Sequence, residues 1–197
     1  MSQRGFTLVE VVVAAAALSI VLLGVGTFYL SSIRIEEENT AQTFLQRQAT
    51  IVMDEMRKQV ERACTDLAVP GSPCPTAPPA PLVLGCGGVP DSLQVSVPAP
   101  GGIEVYCFKR DSSPNGTRLL VDRPGGNQWN LLSGAPATLT TTTGTCPDAG
   151  GFCPTLIVNN NTAKTLGAAI TLRLRYRIPE TSSFQTMTFT TTLAARN

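Results

Sequence analysis

The sequence predicts an α+β protein: one long N-terminal helix, apolar in its first half and amphipathic in its second, packed against a C-terminal antiparallel β-sheet head. Three observations carry this. No residue from Val11 to Ile33 is charged. From Ala41 to Ala63 apolar residues recur at helical spacing. Near the C-terminus two segments alternate apolar and polar residues on either side of a turn.

The composition sets the bounds. Of 197 residues, 43% are hydrophobic and 15% charged, with a net charge of +1. That excludes a disordered acidic or basic tail, and no overall basic excess argues for nucleic-acid binding. The uncharged run is long enough to cross a hydrocarbon core of ~30 Å as a helix. A removable signal peptide would have a shorter apolar region, closed by a small-residue cleavage site. No Ala-x-Ala site precedes the charged stretch Arg34–Glu38, so the segment stays with the mature chain. Arg4 precedes it and Glu36, Glu37 and Glu38 follow it, which places the N-terminus in the cytoplasm and the remainder outside.

Two features set this segment apart from an ordinary anchor. Glu10 lies within the apolar stretch, where a carboxylate is costly and calls for a partner. At Gly5-Phe6 a short polar leader meets the apolar helix, and a protease at the cytoplasmic face readily accommodates a small residue there.

Gly5-Phe6-Thr7-Leu8-Val9-Glu10 resembles the processing and methylation motif of type IV pilins and pseudopilins. The resemblance implies that a membrane peptidase cuts after Gly5 and methylates the new N-terminal Phe6, and that Glu10 serves assembly. It implies the other major and minor pilins, the prepilin peptidase, the inner-membrane assembly platform and inner-membrane lipid as partners, and no cofactor. The expected location is the bacterial inner membrane, then the pilus or cell surface. The chemistry is consistent with this. Cleavage creates a cationic amine on Phe6, and Glu10 of a neighbouring subunit is an anion in the same apolar layer.

Beyond Arg34, Ala41, Leu45, Ala49, Val52, Met56, Val60 and Ala63 form one apolar stripe. No proline occurs before Pro70 and no glycine between Gly26 and Gly71, so one helix from about Thr7 to Cys64 is expected, roughly 85 Å long at ~1.5 Å per residue. Many major pilins carry a proline in the apolar half; this chain has none there, and Gly24 and Gly26 are its weak points. The expected organisation is a leader over 1–5, a membrane or filament-core helix over 6–33, an amphipathic helix over 34–66 and a disulfide-stapled β-rich head over 67–197. Together these give the ladle of pilin-like proteins. The length of the chain and its ending after a strand resemble the larger minor pilins of the W and J types.

Pro70–Pro81 reads as a proline-rich loop. Strands are expected at Leu93–Val97, at Gly102–Lys109 with Ile103, Val105 and Cys107 on one face, at Thr117–Val121 after an Asn115-Gly116 turn, and at Gln128–Leu132. Gly85-Cys86-Gly87-Gly88 reads as a turn, and Thr138–Gly151 as a polar threonine-rich stretch. In the strongest hairpin Ile170, Leu172, Leu174, Tyr176 and Ile178 alternate with polar residues, Pro179–Ser183 turns the chain, and Met187, Phe189, Thr191 and Leu193 alternate likewise; its apolar side is expected over the helical stripe.

Cys64, Cys74, Cys86, Cys107, Cys146 and Cys153 lie outside the membrane segment and none are at Cys-x-x-Cys spacing. With no histidine in the chain they read as disulfides formed in an oxidising compartment rather than as a metal site. Cys146 with Cys153 closes a small loop, and Cys64 with Cys107 is the favoured long-range pair.

No enzyme constellation is present. The lack of histidine removes Ser-His-Asp and Cys-His chemistry, and Asp54-Glu55 has no partner cluster. Arg173, Arg175 and Arg177 share one face of a strand. The favoured reading is a solvated face guarded by charge; the alternative is a contact for DNA phosphates or a partner. The function expected is therefore that of a structural minor pilin, in the shaft or at the tip of a type IV pilus serving motility, adhesion or DNA uptake. The alternatives are a pseudopilin of a type II secretion system, and a DNA-binding or adhesin module displayed on the pilus.

Overall fold

The computed structural model describes residues 7–63, 82–86, 89–111, 117–132, 137–140, 151–159, 164–179 and 183–195. The expected leader, the Pro70–Pro81 loop and the closed loop from Cys146 fall outside these residues, apart from Gly151–Cys153. Helix α1 runs Leu8–Glu61 without interruption, slightly shorter than the span to Cys64 that the sequence suggests. The chain falls into two units, one ending at Thr40 and the other beginning at Ala41.

In the first unit the apolar side chains of α1 are exposed on every side, from Leu8 at 81% to Tyr29 at 65%. In the second unit α1 has one buried stripe. Ala41, Leu45, Ala49, Val52, Met56 and Val60 are all inaccessible or nearly so, and Ala63 just beyond the helix joins them. These are the positions that the helical spacing selects. Gln59 is the one polar side chain buried beside them, held by its amide to Glu55 Oε1 at 3.3 Å.

Strands β1 (Leu82–Cys86), β2 (Val89–Ala99), β3 (Gly102–Arg110), β4 (Leu119–Asp122) and β5 (Gln128–Leu132) form a five-stranded antiparallel meander in chain order. The strands expected in this region are all present, and Ile103, Val105 and Cys107 share one face of β3 as expected, though it is not the core face. Phe108 and Tyr106 pair with Leu93 and Val95 on the core side, and Phe108 is fully buried. Ile103 and Val105 lie on the opposite side, where Val105 is 40% exposed. Both faces of β3 carry apolar residues, so alternation alone does not choose between them.

The second sheet is built on β8 (Lys164–Arg177). β9 (Phe184–Ala194) pairs with β8 from Gly167 to Arg177 along one edge. β6 (Ala137–Leu139) and β7 (Phe152–Asn159) share the other edge end to end, β6 against Leu174–Tyr176 and β7 from Leu172 back to Lys164. Between them, Thr140 N–H donates to the Arg173 carbonyl and Arg173 N–H to that of Gly151. The hairpin expected over Ile170–Leu193 is thus present with the expected residues facing the core, and its register sets Leu172 beside Phe189 and Leu174 beside Met187. β6 and β7 are additions: β6 sits within the stretch read as polar, and β7 follows a loop with no expected strand. One sheet was expected and there are two.

Both sheets and the α1 stripe close over one core. Leu45, Val52, Met56 and Val60 pack with Leu82, Leu93, Val95 and Phe108 from the first sheet and Phe152, Ile170, Leu172 and Leu174 from the second. Glu55 on α1 accepts a hydrogen bond from Arg123 Nη2 at 3.3 Å, and the Arg123 guanidinium lies 3.8 Å over the Trp129 ring. Half of the Asp54-Glu55 pair therefore has a structural partner that the sequence does not reveal.

A disulfide joins Cys86 to Cys107, and this corrects the favoured pairing of Cys64 with Cys107. β1 and β3 are separated by β2, so a flat sheet would hold them ~9.5 Å apart. The Cα atoms of Cys86 and Cys107 are 6.0 Å apart, so the end of β1 must leave the plane. It does so at Gly85, whose φ of 84° lies in the left-handed region, where the β1–β2 register shifts between Leu84 and Cys86. The chain reverses between Cys86 and its partner Val89, within the stretch read as a turn, and Gly85 adds a strand irregularity just before it. Buried Ser92 accepts the Cys86 N–H at 2.6 Å, replacing the lost ladder bond. Cys153 is also disulfide-bonded; its partner, with Cys64, Cys74 and Cys146, lies outside the described residues.

Two predictions follow from this packing. Met56→Ala, at a fully buried site, should destabilise the head by about 2–5 kcal/mol, whereas Ile51→Ala, 50% exposed on the same helix, should change it by no more than about 0.5 kcal/mol. Urea unfolding of the detergent-solubilised protein, read by Trp129 fluorescence, gives both values. Replacing Cys86 and Cys107 together with serine opens a link spanning 21 residues and should cost about 3 kcal/mol in the same measurement. A peptide map without reduction should recover the two cysteines joined.

Candidate functional site

The start of α1 is built by its own sequence. Thr7 precedes the first helical residue and Glu10 follows three positions later. Thr7 N–H donates to Glu10 Oε2 at 3.0 Å, and Thr7 Oγ1 donates to the same oxygen at 3.0 Å. In return Glu10 N–H donates to Thr7 Oγ1 at 3.3 Å. This is a reciprocal capping box, in which threonine and glutamate satisfy helix-start groups for each other. A carboxylate in the first turn also faces the positive end of the helix dipole. Thr-x-x-Glu ahead of an apolar run is the pattern that announces such a box, and a reading of Glu10 solely as a charge in need of a partner passes over it.

The rest of the first unit is adapted to an apolar medium. None of its most apolar window is buried within the protein. Three hydroxyls in that span donate to its own backbone: Ser19 Oγ to the Ala15 carbonyl at 2.8 Å, Thr27 Oγ1 to that of Gly24 at 2.9 Å and Ser31 Oγ to that of Phe28 at 2.8 Å. They need no water, which is the condition for a helix to reside in hydrocarbon or between other apolar helices.

The second expected site is the arginine row. β8 does place Arg173, Arg175 and Arg177 on one face, opposite buried Leu172 and Leu174. Arg173 Nε–H donates to Thr188 Oγ1 at 3.3 Å, and Arg175 Nε–H to Thr138 Oγ1 at 3.2 Å. Arg175 also lies 4.9 Å over the ring of Phe184. Phe184, paired with Arg177, thus places one aromatic ring on this outward face.

Gly5 and Phe6 lie outside the described residues. Among the described residues no three His, Cys, Asp or Glu side chains gather as metal ligands would.

Residues 1–26 match the protein family described as Prokaryotic N-terminal methylation motif. Searches of curated proteins and of solved structures return no match. The match covers Gly5-Phe6, the capped start at Thr7 and Glu10, and most of the apolar run behind them. The long N-terminal apolar helix and the C-terminal antiparallel sheets make a pilin-like α+β fold.

Proposed function

We propose that the protein is a minor pilin of a type IV pilus, similar to the larger W and J types, cut after Gly5, methylated on Phe6 and incorporated into the fibre or at its tip. The observation that carries this reading is the exposed apolar half of α1 directly behind the capped Thr7-x-x-Glu10 start. A helix apolar on all sides is stable only when something nonpolar covers it. Lipid covers it before assembly, and the same segment of neighbouring subunits covers it afterwards. The assignment of 1–5 as leader, 6–33 as membrane and filament-core segment, 34–66 as amphipathic segment and 67–197 as head belongs to this proposal.

Glu10 has two tasks in it. In the lone subunit the capping box holds the carboxylate against Thr7. In the fibre the same anion meets the methylated amine of a neighbouring Phe6. A buried ion pair need not stabilise more than an apolar contact would, but removing one member leaves an uncompensated charge. The pair therefore fixes register more than it adds stability.

Processing is tested first. N-terminal mass spectrometry of protein from membranes containing active peptidase should find a chain beginning at Phe6 with a methylated amine. An intact Met1 end there would reject the assignment. The two tasks of Glu10 are separated by a pair of substitutions. Gln at the third helical position still completes a capping box, so Glu10→Gln removes the anion and keeps the cap, whereas Glu10→Ala removes both. If the charge serves assembly, both variants should be processed and folded yet depleted from sheared fibres by about tenfold or more. Normal incorporation of the Gln variant, with loss only in the Ala variant, would reduce Glu10 to a cap.

A further inference from the structure

We propose that the outer face of the second sheet binds an acidic polysaccharide. The inference goes beyond assembly and does not rest on it, so its failure would leave the pilin reading intact. It starts from the register of β8. Rows across the sheet read Thr138–Arg175–Thr186, then Arg173–Thr188, then Cys153–Thr171–Thr190, with the disulfide-bonded Cys153 buried at the β7 side. Thr155 and Thr192 extend the hydroxyls along the two neighbouring strands. Arg177 stands at the end of the row and is exposed. The result is a face of guanidinium groups and threonine hydroxyls, and no Asp or Glu shares it among the described residues. None of the three arginines has a carboxylate partner among those residues.

The arginines are held in place before any ligand arrives. Arg173 and Arg175 each spend the Nε–H nearest the stem on a threonine, and Arg175 is further held against Phe184. Such anchoring reduces the side-chain entropy lost on binding. Successive arginines are ~6.7 Å apart along the strand, and neighbouring strands ~4.8 Å apart, so charge and hydroxyl repeat on a regular grid.

The ligand that matches this grid carries both anions and hydroxyls, repeated along an extended chain. Guanidinium pairs with carboxylate through two parallel hydrogen bonds, and a threonine hydroxyl both donates to and accepts from a sugar hydroxyl. Duplex DNA offers phosphates, but its deoxyribose has no free hydroxyl for the threonines. A single strand calls for several stacking rings, and the one ring identified on this face, Phe184, already carries Arg175. An acidic peptide supplies charge without the repeated hydroxyls. An acidic polysaccharide supplies both.

The test uses the full chain in detergent micelles, with polygalacturonate as probe, dextran as neutral control and duplex DNA as competing polyanion. The wild type should bind polygalacturonate, with affinity falling as salt is raised, and should ignore dextran. Arg173→Gln with Arg175→Gln should weaken binding by about tenfold or more, the scale of lost charge-assisted bonds. Thr186→Val with Thr190→Val and Thr192→Val keeps shape and strand preference and removes only hydroxyls; it should weaken polygalacturonate binding several-fold. Trp129 fluorescence and protease resistance report folding, and if the arginine variant does not fold, the valine variant decides alone. Absence of polygalacturonate binding, or binding that the valine variant leaves unchanged, overturns the proposal. Tighter binding to DNA than to polygalacturonate would also overturn it and make the face a phosphate track.

Discussion

One helix has to meet two environments, and most of the molecule follows from that constraint. Through Tyr29 and Leu30 its apolar side chains are exposed on every side, a state that water does not tolerate. From Ala41 onward only one stripe is apolar, and the stripe is buried without remainder. A sheet can cover a stripe, but it cannot cover a cylinder. The head therefore closes over Leu45, Val52, Met56 and Val60 and leaves the first half to lipid or to other copies of the same segment. The back-bonded hydroxyls of Ser19, Thr27 and Ser31 fit that division, since a polar atom in that half has no water to rely on.

What the sequence reveals of this follows from how directly each pattern reports burial. The stripe of α1 is legible because helical spacing and one-sided burial are the same fact. β8 and β9 are legible because one of their faces is apolar and the other carries threonine and arginine. The core face of β3 is not legible because Phe108 and Cys107 are neighbours and both are buried, one in the core and the other in a disulfide. β6 is three residues long and takes its place from β8 rather than from its own composition. The Cys86–Cys107 pair depends on the irregular end of β1, where Gly85 and Ser92 together turn the strand out of plane. Spacing along the chain carries no trace of that turn.

The N-terminal site is legible to a different degree. The run Gly5 to Glu10 announces a processing motif because it joins a cleavable junction, an apolar helix and one acidic residue within a few positions. Its local physics is less apparent from the resemblance than from the elementary rules of helix ends. Thr7 and Glu10 close a box that any helix can use. Nothing about the box is special to a fibre; what is special is that an apolar medium surrounds it.

That combination bears on how a carboxylate can be carried in a membrane helix at all. A bare anion in hydrocarbon would lose its hydration and gain nothing. At the helix start Glu10 has an amide and a hydroxyl from Thr7 on one of its oxygens, close to the positive end of the backbone dipole. The charge is thereby tolerated rather than neutralised, and the other oxygen makes no bond within this box. An incoming ammonium group can add to such a carboxylate without first displacing Thr7. The cap and the counter-ion are then successive partners of one group, not competitors. On the proposed assembly role, a lone subunit in the bilayer would hold this carboxylate already ordered, which lowers the entropy cost when a neighbour's amine arrives.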